Sequence, residues 1–211
     1  LEGLIVAEKS ISVSNIVNGA TRLQPVVLGI GQAAGALAVQ SIKDKLPLSD
    51  VSVRKVQHQL LNAKAYIMPY LDVSPSDKHF NAVQKIGATG ILKGKGLTYK
   101  WANQTWFYPN KVLSEYDLLD GLRSVYPHLA ERRDGSGEDL KLSYLVTLFK
   151  TIKPETDIKN AVNILKKIKP GQYSEKTLLT RYQTAILLDT MIDPFSIGTD
   201  HDGNFFHQTK N

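Results

Sequence analysis

Gly29-Ile30-Gly31-Gln32-Ala33-Ala34-Gly35-Ala36-Leu37-Ala38 is a run of small residues set among a few larger apolar ones. Pro25 stands just ahead of it, suited to the first turn of a helix, where its missing N–H costs nothing. The pattern predicts one helix from Pro25 to about Lys43. Each glycine inside it sacrifices helix propensity. The return on that sacrifice is close backbone approach, so the helix is expected to lie tight against another layer.

The same letters, Gly29-Ile30-Gly31-Gln32-Ala33-Ala34, match the Gly/Gly/Ala form of the dinucleotide-binding fingerprint, with Asp50 at a plausible acidic position. A phosphate loop needs its glycines in the turn before the helix. Here Pro25 says the helix has already begun, and the fingerprint reading is set aside.

Upstream, Leu4-Ile5-Val6-Ala7 reads as a short buried strand. Ser10 to Arg22 is polar and holds Asn18-Gly19, a turn signal. Downstream, Asp44 to Asp50 is a linker around Pro47, and Ser52 to Ala65 is helical through Val53, Val56, Leu60 and Leu61. Tyr66 to Ser76, with Pro69 and Pro75, is irregular. A helix then carries Phe80, Val83 and Ile86, and Ile91 to Asn110 forms a loop or short hairpin. Ser114 caps a helix with Leu118, Leu119, Leu122 and Val125 on one face. Arg132 to Asp139 is a polar connection, followed by helices near 141–152, 155–168 and 178–192 and an extended tail over 194–211. The expected fold is mainly α, with a short strand–helix piece of an α/β domain ahead of a multi-helix domain. Leu113-Ser114-Glu115-Tyr116 echoes Leu179-Thr180-Arg181-Tyr182, two copies of a helix-opening pattern.

Composition narrows the chemistry. The chain has 211 residues, 42% apolar, enough for a packed core, and a formal charge of +6 that permits acidic partners without requiring them. It contains no cysteine, which excludes disulfides, thiolate metal sites and a cysteine nucleophile. The mostly apolar run from Pro25 to Val39, interrupted by Gln32, falls short of the ~20 residues of a bilayer-spanning helix. The first residues carry no initiator Met and no basic segment, so the chain is expected to begin inside a longer protein.

Leu4-Ile5-Val6-Ala7, Ser10-Ile11-Ser12, Gly19, Arg22 and Gly31-Gln32-Ala33-Ala34-Gly35 together resemble the closing segment of FAD-dependent oxidoreductases. Where those flavoproteins usually have Gly-Arg after the strand, this chain has Glu8-Lys9. The resemblance implies FAD as cofactor of the full-length parent, with Ala7, Ser10, Arg22, Pro25 and Val26 as candidate contacts. The positive end of the helix near Pro25 would face the flavin edge that gains charge on reduction, and Arg22 would add a fixed charge. Residues 1–43 would be the end of the FAD-binding domain, 44–51 a linker, 52–193 an accessory domain and 194–211 a tail. The partner implied is the missing N-terminal flavin domain. Alone, this chain is expected to be catalytically incomplete and to retain no FAD.

A second resemblance covers Tyr70-Leu71-Asp72-Val73, His79-Phe80, Gly90-Ile91, Gly94, Phe107-Tyr108-Pro109 and the Ser114 cap, which follow the order of an S-layer-homology module. It implies an alternative function, a glycan- or envelope-binding accessory module of an exported protein, periplasmic or in the cell envelope. A polysaccharide-degrading, lyase-type parent is a further alternative, although no Tyr/His/Arg constellation of that kind is present. Trp101, Trp106, Phe107 and Tyr108 beside Lys95 and Lys100 either stack on a flat ligand or form the loop's own small core. Asp200-His201-Asp202-Gly203-Asn204 lacks the spacing and closing Glu of a calcium loop and reads as a turn. No catalytic residue, metal site, nucleic-acid surface or membrane span is assigned.

Overall fold

The computed structural model describes residues 3–100 and 102–206 and is mainly α. Two compact units divide it: the N-terminal residues to Ala65 together with the chain from Gly198 onward, and residues 66–197.

In the first unit, α1 (Asn15–Thr21) opens on Ser14, whose Oγ accepts the Val17 amide at 3.3 Å. The expectation of a turn at Asn18-Gly19 is corrected. With its N-terminus capped, the segment completes helical bonds through both residues. α2 spans Gln24–Asp44, with Pro25 in its first turn, and ends at Lys45 in the left-handed conformation. Among the described residues it is the one helix long and apolar enough to cross a membrane, because helix continues past Val39 to Asp44. α3 (Val53–Asn62), capped by Ser52, lays Val56 and Leu60 against Ala36 and Leu37 of α2, with Val51 completing the cluster. Lys55 Nζ meets Asp44 Oδ2 at 2.9 Å beside that contact.

The strand expected at Leu4-Ile5-Val6-Ala7 is absent. The run is extended but pairs with no other segment among the described residues, and Leu4 is 60% exposed. A strand needs a neighbour for its amides and carbonyls, and the described residues of this unit form no sheet. The C-terminal stretch turns rather than running straight. Asp200 Oδ1 accepts the amides of Asp202 and Asn204, Thr199 bridges to Phe205, and the Phe205 ring lies 5.8 Å from the Arg54 guanidinium.

The second unit begins with an irregular segment pinned by Gln84 of α4 (Phe80–Ala88). The fully buried Gln84 accepts the amides of Ile67 and Met68 at 2.8 Å and donates to the Met68 carbonyl at 3.0 Å. Burying an amide side chain is tolerable only with such partners. β1 (Lys95–Tyr99) and β2 (Ala102–Trp106) form an antiparallel hairpin with Lys95 opposite Trp106. Then come α5 (Glu115–Val125), α6 (Leu142–Ile152), α7 (Ile158–Ile168) and α8 (Arg181–Leu187). The last continues as a wider turn through Leu188–Ile192 and stops where Asp193 turns left-handed before Pro194.

α5, α6 and α8 meet in a joint with threefold character. The Leu113 amide donates to the Leu179 carbonyl (3.1 Å), Leu179 to Leu140 (2.9 Å), and Leu140 back to Leu113 (2.7 Å). All three leucines are buried. The first two amides of each helix then donate to the segment entering the next. Glu115 and Tyr116 reach the Glu138 and Ser136 carbonyls, Leu142 and Ser143 those of Thr177 and Glu175, and Arg181 and Tyr182 those of Lys111 and Pro109. In every pair the acceptors stand two and four residues before the ring leucine. Helix N-termini leave amides unsatisfied, and here the symmetry of the joint supplies acceptors for all three. The two copies legible in the sequence are thus three in the structure, the third at Leu140.

Candidate functional site

Two places carry chemistry, one in each unit. In the first, Ala7 is half-buried at the entry of a short turn over Glu8–Ser10, and Ser10 is exposed at its end. Glu8 sits at φ 65°, a conformation that favours glycine. This is the position where the flavoprotein pattern has Gly, a residue that such a backbone suits. Arg22 ends α1, its amide on the Asn18 carbonyl, and Pro25 and Val26 lie exposed in the first turn of α2. The short turn and α1 both contact α2.

One feature here suits the flavin contact that the resemblance implies. The start of α2 offers the positive end of a 21-residue helix, and Arg22 stands two residues before it in the chain. Gly29-Ile30-Gly31-Gln32-Ala33-Ala34 lies inside α2, not in a turn before it, and so cannot cradle a pyrophosphate. The small-residue face expected to be tightly packed is bare. A Cβ added to Gly29, Gly31 or Gly35 would meet no atom within 4 Å, and Leu28 and Ile42 are 75% and 78% exposed.

In the second unit, Gly90, Ile91, Leu92, Lys93, Leu113, Asp117, Asp120, Gly121 and Arg181 line a cavity of about 210 Å³. Its walls are close because α5 comes very near the Ile91 backbone at Gly121, where a Cβ would collide with the Ile91 carbonyl oxygen. Arg181 is held firmly. Its Nε donates to the Phe107 carbonyl at 2.6 Å, its Nη2 to the Lys93 carbonyl at 2.7 Å, and its guanidinium stands 4.8 Å from the Phe107 ring centroid. Burial lowers its pKa from the ordinary arginine value. The cavity was not expected from the sequence, because Asp117 and Arg181 lie 64 residues apart and Lys93 comes from a third segment. Asp117 and Asp120 were recognisable as sharing a helix face, without the convergent partner that Arg181 provides.

The aromatic cluster divides. Phe107 is fully buried, Trp106 stacks on Tyr108 with centroids 6.0 Å apart, and Trp101 lies outside the described residues. Phe107 thus serves the core. Burial pushes the hydroxyls of Tyr70 and Tyr144 up to about 12. The Asp200 turn closes on itself, with Asn204 donating to the Asp200 carboxylate, which lowers its pKa. Among the described residues, no group of three His, Cys, Asp or Glu side chains is placed to hold a metal ion.

No curated protein and no solved structure matches the chain. The model of the family described as FAD dependent oxidoreductase matches residues 1–60. The region of α1, α2 and most of α3 is therefore similar to the FAD-dependent oxidoreductases, while the helical unit that follows has no matched relative.

Proposed function

We propose that this chain is the C-terminal portion of an FAD-dependent oxidoreductase, a short flavin-domain piece followed by a helical accessory domain. The observation that carries the reading is the family match over residues 1–60 on a helix whose small-residue face has no cover. Gly31, Gly35 and the exposed Leu28 and Ile42 are what a helix packed on a nucleotide-binding sheet would present once that sheet is elsewhere. Ala7, Ser10, Arg22, Pro25 and Val26 are the proposed flavin contacts, completed by the N-terminal flavin domain of the parent. FAD, when bound, supplies the redox chemistry. These residues bind and orient one edge of it. α2 is read as a packed helix rather than a membrane span. The test is flavin analysis of the full-length parent, where a stoichiometric flavin spectrum is expected and a flavin-free, correctly folded parent overturns the reading.

A second reading concerns the helical unit alone, as an S-layer-homology-like module of an exported protein. What favours it is that the residues behind that resemblance work together. Asp72 holds Phe107 and Tyr108, Pro109 accepts from Tyr182, and Ser114 caps α5. Co-sedimentation of the chain with purified cell-wall polysaccharide tests it, and absence of binding overturns it.

A further inference from the structure

The backbone of the joint repeats three times, but the chemistry at its repeated positions does not. The first side chain of each helix is Glu115 in α5, Leu142 in α6 and Arg181 in α8. Leu142 is buried, and Glu115 is closed off by Ser136, whose Oγ donates to Glu115 Oε2 at 2.7 Å. Arg181 instead opens onto the 210 Å³ cavity. Two of its nitrogens are spent on carbonyls, which fixes the head and leaves Nη1 for another acceptor.

The carboxylates of Asp117 and Asp120, one turn apart on α5, share the lining with that arginine. Neither makes a hydrogen bond or ion pair with its carboxylate among the described residues. The charge of Asp117 is felt at Arg181, yet no contact within ion-pair distance joins them. Opposite charges are therefore held apart around one small space. Lys93, exposed, also lines the space, so a bare anion is opposed there by two carboxylates and a bare cation by the arginine and the lysine. A neutral ligand leaves full charges to be satisfied by weaker, uncharged bonds, whereas charge-assisted hydrogen bonds are about twice as strong.

We propose that this cavity binds a small zwitterion of the α-amino-acid class. The ligand carboxylate accepts from Arg181 Nη1. Its ammonium, with three donors, is shared between Asp117 and Asp120. Its side chain lies against Ile91, Leu92 and Leu113. Gly121 lets α5 approach closely, since a side chain there would collide with the Ile91 backbone, and Gly90 holds a positive φ that favours glycine. This site belongs to the helical unit and does not depend on the flavin reading.

The experiment is calorimetric titration of the full chain with L-alanine, L-valine and L-leucine, a series in side-chain size. One-to-one binding of at least one of them is expected. Two truncated relatives, isovaleric acid without the ammonium and isobutylamine without the carboxylate, are expected to bind about tenfold or more weakly than L-valine. The double variant Asp117→Asn with Asp120→Asn is expected to lose affinity by a similar factor while keeping its circular dichroism and melting temperature, because both side chains are exposed and unpartnered. The proposal is overturned if no amino acid binds at ~10 mM, or if binding survives the double variant unchanged. It is also overturned if a methyl glycoside binds as well as the amino acids, a result that would instead favour the envelope-binding reading.

Discussion

The Asp72 carboxylate accepts the Phe107 amide at 2.8 Å across 35 residues of chain, and its second oxygen accepts the Tyr108 amide at 2.7 Å. That clamp bends the chain at Tyr108, which sits at φ 57°, and brings Phe107 under Arg181. Hydrogen bonds to a charged group contribute about 1.5–3 kcal/mol each, and losing the acceptor also strands the donors. Asp72→Ala is expected to destabilise the helical unit by ~2–4 kcal/mol, measured by urea unfolding of the chain. A loss below ~0.5 kcal/mol would show that the clamp is incidental.

Gly121 marks the closest approach in the joint. A Cβ there would collide with the Ile91 carbonyl, a backbone atom that cannot rotate away. Gly121→Ala is expected to cost ~1–3 kcal/mol or more and to narrow the cavity. A variant as stable as the parent chain would mean that α5 shifts freely.

The contrast is Gly35, whose built Cβ meets nothing. In this chain Gly35→Leu is expected to be neutral or to raise stability by up to ~1 kcal/mol, through helix propensity alone. In the full-length parent the same change is expected to lower both melting temperature and bound flavin, by overpacking against the sheet. Equal effects in both proteins would remove the structural support for the flavoprotein reading.

Lys141 occupies the N-cap of α6, where its side chain makes no cap hydrogen bond, while Ser114 and Thr180 do so for α5 and α8. Its backbone is already extended, as a cap requires. Lys141→Ser is expected to stabilise by ~0.5–1 kcal/mol, slightly offset by loss of the exposed Lys141–Glu138 ion pair. Denaturant midpoints of the two chains decide it, and a destabilised variant would show that the ion pair outweighs the cap.

Tyr70 connects stability to alkaline pH. Its folded-state pKa is raised to about 12 by burial, above the ordinary tyrosine value of 10. The unfolded chain therefore ionises first as pH rises. The stabilisation is fully present below pH 10 and is lost as pH climbs towards 12. Tyr70→Phe is expected to flatten stability over that window, read from unfolding curves at stepped pH. An unchanged slope would assign the alkaline loss to other groups.

Much of the α-helical content was legible from sequence, since apolar spacing at α3, α5 and α6 and the cap residues Ser52 and Ser114 are local signals. Pro25 likewise announced α2 and ruled out a phosphate turn at Gly29. Tertiary structure decided what local signals cannot carry. Leu4-Ile5-Val6-Ala7 has the composition of a strand, but strand pairing is a property of two segments, and among the described residues no second strand pairs with it. The repeat showed two copies because Ser114 and Thr180 are cap residues, whereas Lys141 is not. The third copy persists because its equivalence lies in backbone bonds from Leu140, Leu142 and Ser143, which any side chain permits. The cavity at Arg181 arises from the same joint. Asp117 and Arg181 are separated by 64 residues in the chain, and the hydrogen-bonded ring of Leu113, Leu140 and Leu179 is what places them around one space.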